Sequence, residues 1–156
     1  MNPLLQALVI AERIYVDTSD RKIICGTFNQ IVLKTTPTER TVNNPDGSKT
    51  KKLLAGHDPG CPWFYLSLTD VIPGTVLTLQ MMNVSKNKEM FNLSVTIDEA
   101  DRLSTVEIVL PLPPIMSFAK EPGTLSFDVL CNGEIIGSHR LLVKAAPSDH
   151  QTPPTE

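Results

Sequence analysis

Several things are scarce in this sequence. Aromatic residues make up 5% of its 156 positions, with a single tryptophan. No apolar run approaches the ~18 uninterrupted residues of a membrane-spanning helix. Cysteines number three, Cys25, Cys61 and Cys131, an odd and widely spaced set. Such a set is not a disulfide framework and reads as reduced thiols in a cytoplasmic protein. There is no C-x-x-C pair, no Gly-rich phosphate loop and no Gly-x-Ser-x-Gly elbow. Positive charge is not in excess: 14 Lys and Arg stand against 17 Asp and Glu, a net −3. Nucleic-acid binding, which needs a clustered basic face, is not expected. The start, MNPLLQALVIAER, carries no basic residue ahead of its short apolar run. It reads as a first strand rather than a signal peptide.

What is present is turn chemistry between alternating segments. Thirteen prolines and eight glycines punctuate the chain. Leu4–Val16 and Ile23–Leu33 read as two long strands around the polar turn DTSDRK, with Gly26 as a bulge. WFYLSL, from Trp63, is an aromatic run suited to a central strand. Thr75–Val84 alternates, and in Phe91–Ile97 the residues Phe91, Leu93, Val95 and Ile97 share one face. Thr105–Leu112 ends at Pro113-Pro114, and Thr124–Cys131 with Glu134–Val143 forms a hairpin around Asn132-Gly133. Together these predict an all-β fold, an antiparallel β-sandwich of about eight or nine strands. One domain spans 1–144, and the tail from 145 to 156 reads as disordered. Residues 34–61 form a long polar excursion, either a protruding hairpin or a mobile functional loop.

The opening ALVIAERIYVD…KIICGTFNQI, the central WFYLSLTD and the closing PGTLSFDVLCNGEIIGSHRLLV resemble a family of small uncharacterised bacterial proteins. The resemblance covers Ala7–Val143 outside the polar excursion. Its motifs are structural, so it implies a β-sandwich and assigns no site residues. The last hairpin is also similar to the closing strands of immunoglobulin-like and C2-like sandwiches.

Five groups of residues invite a chemical reading. A two-residue Asn132-Gly133 turn sets Ser126 opposite His139 and Asp128 diagonal to it, at Cα separations of roughly 5 and 7–8 Å. A triad needs convergence in a cleft and an oxyanion hole. Side by side on a paired strand, these three groups read as a wet sheet face. His57 and Cys61 flank a Pro-Gly turn, with Cys25 or Cys131 within conceivable reach, but four zinc ligands are not evident. Asp17, Asp20, Asp70, Asp98 and Asp101 lie in or beside turns, where C2-like domains hold calcium and where aspartate is favoured anyway. Trp63 and Tyr65 share one strand face: exposed, they would form a stacking platform for a sugar; buried, they are the largest members of the core. Core use is the favoured reading. Arg40, Lys49, Lys51 and Lys52 form a basic group in the excursion, suited to an acidic partner.

No convergent acid/base set, metal or cofactor is called for. The expectation is a non-catalytic module acting by protein contact or self-association, with Trp63, Tyr65, Arg40, Lys49, Lys51 and Lys52 as candidate contacts. The alternative is a ligand-binding module of carbohydrate or C2-like calcium type.

Overall fold

Residues i and i+2 share a strand face, so a chain that alternates apolar and polar residues buries one face of each strand. The computed structural model describes residues 2–33, 38–54, 60–98 and 101–145, with the backbone alone at 38–43 and 50–54. Its strands are β1 (Leu4–Val16), β2 (Lys22–Thr27), β3 (Gln30–Leu33), β4 (Thr38–Asn43), β5 (Lys49–Leu54), β6 (Trp63–Thr69), β7 (Thr75–Asn83), β8 (Lys88–Ile97), β9 (Val106–Pro111), β10 (Gly123–Cys131) and β11 (Glu134–Ala145). Among the described residues there is no α-helix, only the 3-10 turns Val84–Lys86 and Ile115–Ser117. The expected tail after Ala145 lies outside the described residues.

The main strands form two sheets, one of four strands in the order β2-β1-β6-β9 and one of five in the order β3-β11-β10-β7-β8. Their inward residues meet in one apolar cluster: Ile10, Phe64, Leu66 and Leu68 from the first sheet, Leu79, Met81, Phe127, Val129, Leu141 and Val143 from the second. Phe127 is fully buried and meets Phe118 edge-on, with ring centroids 6.5 Å apart. Such a pair contributes about 0.5–1.5 kcal/mol beyond its buried area. Met81 is core and Met82 half-buried on the other face, as the alternation of β7 requires.

Two features depart from the sequence reading. The run Ile23–Leu33 is not one strand. β2 belongs to the four-stranded sheet, whereas β3 pairs with β11 in the five-stranded sheet. Phe28 and Asn29 carry the chain across: Phe28 N–H donates to the Ile10 carbonyl, and the Asn29 carbonyl accepts from Leu142 N–H at 2.8 Å. The β3–β11 pairing is parallel, so the sheets are not wholly antiparallel.

The β1–β2 hairpin is also bent. In the ladders Lys22 is level with Val16, while Glu107 is level with Ser67 and hence with Ala7. A straight ribbon would hold positions nine residues apart at ~30 Å. Yet Lys22 Nζ lies 3.0 Å from Glu107 Oε2. The far half of the hairpin therefore turns back toward the outer face of the sheet it extends. Gly26, at φ +68, supplies a backbone conformation suited to that turn.

Candidate functional site

β10 is the one strand of the final hairpin buried on both faces. Leu125, Phe127 and Val129 point into the core, and Ser126 and Asp128 lie on the opposite face, yet they are only 1% and 7% exposed. Ser126 Oγ donates to Asp128 Oδ1 at 2.5 Å, Ser138 Oγ donates to the same oxygen at 2.6 Å, and the two hydroxyls are 2.9 Å apart. Three oxygens and two hydroxyl protons thus form a closed triangle.

This corrects the expected register of the hairpin. The Asn132-Gly133 turn pairs Cys131 with Glu134 and Leu130 with Ile135, but Val129 then pairs with Gly137. Ile136 is an extra residue, a bulge. From there the register moves by one, so Ser126 faces Arg140 and Phe127 faces His139. Side-chain parity explains why. Without the bulge, Leu141 and Val143, now essentially buried, would share a face with Ser126, and Arg140 would point into the core. The triad geometry exists only in a register that exchanges two core aliphatics for a cation. Ser126 and Asp128 are also buried rather than solvated, contrary to the wet face expected.

His139 serves a different place. Its Nε2 lies 3.2 Å from the Phe28 carbonyl and, as that oxygen only accepts, donates to it. His139 thereby holds the crossover between sheets. With Leu8, Val9, Thr27, Phe28 and Asn29 it lines an open groove of about 380 Å³.

Trp63 and Tyr65 are not core members. On β6 the core residues are Phe64, Leu66 and Leu68, which leaves Trp63 and Tyr65 half-buried on the outer face. Tyr65 Oη donates to Glu107 Oε1 at 2.5 Å, and Lys22 pairs with the other carboxylate oxygen. The bond from Tyr65, and then that from Lys22, hold the Glu107 carboxyl below its ordinary range. Burial, and then the bond to Glu107, push the Tyr65 phenol up. Lys22 is raised chiefly by its hydrogen bond to Glu107.

Within the polar excursion β4 and β5 pair antiparallel, Arg40 with Lys52, Thr41 with Lys51 and Asn43 with Lys49. In that ladder Arg40 and Lys52 hold one register parity and Lys49 and Lys51 the other. Lys49 is exposed. His57 lies outside the described residues, Cys25 and Cys61 are exposed, and Cys131 is buried with its thiol pushed up by that burial. Among the described residues no three His, Cys, Asp or Glu side chains are grouped to hold a metal ion. Asp17 and Asp101 serve their own turns: Asp17 accepts from Ser19 and Arg21 N–H, and Asp101 from Leu103 N–H.

Sequence reasoning allowed that an edge strand could add to a partner's sheet but could not say which strands are edges. β3 has four residues, β2 carries Lys22 and the positive-φ Gly26, and β9 is closed by Pro111. β8 is ten residues long, and Phe91–Ile97 within it holds neither proline nor charge. Leu93, on the core-facing side of β8, is 43% exposed. A signal was available, since cleanly alternating strands free of proline and lysine are the ones that tolerate an open edge poorly. The order of strands that makes β8 an edge was not readable.

No protein-family model matches this chain, and neither does any curated protein. No described helix is long and apolar enough to cross a membrane.

Proposed function

We propose that this chain is a non-catalytic β-sandwich that works by contact with protein, in a bacterial cytoplasm, and that the contact runs along β8. The observation that carries this reading is the long, proline-free edge of β8, uncharged from Phe91 to Ile97, with half-buried Phe91 and Val95 and exposed Leu93 along it. Such an edge offers a row of backbone donors and acceptors that a second strand completes, and its alternate side chains supply selectivity. The β8 edge lies beside that of β9, where Val95, Ile108 and Leu110 border a small apolar gap. The β4–β5 ladder, with Arg40, Lys49, Lys51 and Lys52, gives an acidic partner a further place to touch. Photo-crosslinking tests it: a benzoylphenylalanine placed at Asn92 or Ser94 should give protein adducts in cells, and a clean absence at both positions would remove the support.

A further inference from the structure

We propose that β8 pairs with β8 of a second copy, antiparallel, about a twofold axis at Leu93, so that two five-stranded sheets become one continuous sheet. This rests on the contact reading above and names its partner.

The argument is one of register. Across β7, Leu93 lies opposite Leu79, with Asn92 and Phe91 one and two steps to one side and Ser94 and Val95 one and two steps to the other. A twofold at Leu93 therefore sets Asn92 against the partner's Ser94 and Phe91 against the partner's Val95. Both members of each pair lie on the same face, as antiparallel neighbours must. The core-facing row Phe91, Leu93, Val95 then meets its own reverse, and apolar side chains that each copy leaves half-covered are covered by the other.

The ends agree. Met90 is the extra residue of a bulge, so Glu89 lies three steps from Leu93 and Lys88 four. Lys88 then falls level with the partner's Ile97, next to the partner's Asp98. Lys88 and Asp98 are both exposed, and the symmetry forms this cation–carboxylate contact twice. The two neighbouring registers are each worse: a twofold at Asn92 would forfeit the contact with Asp98 and set Lys88 against the partner's Val95, a cation on an aliphatic. A twofold at Ser94 would keep the apolar row together but set Glu89 against the partner's Asp98, carboxylate on carboxylate. The charges flanking β8 thus select one self-complementary register over the next.

The test is the solution mass of the full chain by sedimentation over rising concentration, with three variants. The parent chain should approach twice 17.1 kDa. Leu93→Lys places two cations on the axis and should weaken association by about tenfold or more. Lys88→Glu should weaken it, and Lys88→Glu with Asp98→Lys should restore it. Association itself raises the parent's melting temperature and Leu93 faces the core side of β8, so the fold of each variant is checked by circular dichroism at a dilution where every form is monomeric; there the variants at the exposed Lys88 and Asp98 should melt near the parent. A dimer indifferent to Leu93→Lys would overturn the proposal, and so would a parent that stays monomeric. In the monomeric case, adducts at Asn92 with a different polypeptide would leave the contact reading standing, whereas no adducts would bring down both.

Discussion

Asp128 shows how a sheet can hide a carboxylate. Its flanking positions are Ser138 and Gln80 on the adjacent strands and Ser126 two residues back, and the two hydroxyls turn their protons to it. Asp128→Ala strips both serines of their acceptor and should cost about 1–3 kcal/mol in urea denaturation. Asp128→Asn keeps a carbonyl oxygen there and should cost less. The sharing of a face by Ser126 and Asp128 was legible, because strand residues two apart always share one. The exclusion of His139 was not, because nothing in Glu134-Ile135-Ile136-Gly137 announces an extra residue. Glu107 makes the residue-scale prediction on pH. Its carboxyl is held below the ordinary 4.5, so the ionised form stabilises the fold above that value. The contribution fades as pH falls from 4.5 through the lowered folded value. In Glu107→Gln, the melting temperature should fall less steeply than the parent's across that acidic window.

At the scale of the element, the bent β1–β2 hairpin depends on few contacts. Gly26 sits at φ +68, and a methyl there would lie 3.0 Å from the Glu12 carboxylate. Gly26→Ala should therefore cost about 1–2 kcal/mol, and amide exchange should quicken in β2 well before it does in β10. The sequence carried the strands but not all of their partners. Phe91–Ile97 was readable because its apolar residues fall strictly on one face. Ile23–Leu33 read as one strand because the step between sheets happens at Phe28-Asn29, without proline or a turn cluster to mark it. Core use was favoured for Trp63 and Tyr65 because aromatics are only 5% of the chain. Their parity was correct, but Phe64, Leu66 and Leu68 hold the inward side of β6.

For the molecule as a whole, the apolar cluster between the sheets gates access to Cys131. Cys25 and Cys61 are exposed and Cys131 buried, with its thiol harder to ionise. A thiol reagent such as dithiobis(nitrobenzoic acid) should label the first two promptly in the native chain. Cys131 should react far more slowly, because its side chain is 2% exposed within the apolar cluster and is reached only when the end of β10 opens. Rapid labelling of all three thiols would contradict the packing of β10. The bulge at Ile136 has a consequence for how this chain tolerates change. Between Leu130 and Gly137 the backbone keeps count: removal of Ile136 alone would erase the bulge and leave every later side chain on its present face, while removal of Ile135 and Ile136 together would send Leu141 and Val143 to the surface and draw Arg140 and Leu142 inward. A chain lacking Ile136 should then still fold, and one lacking both Ile135 and Ile136 should not, as circular dichroism and thermal melting of the two deletions would show.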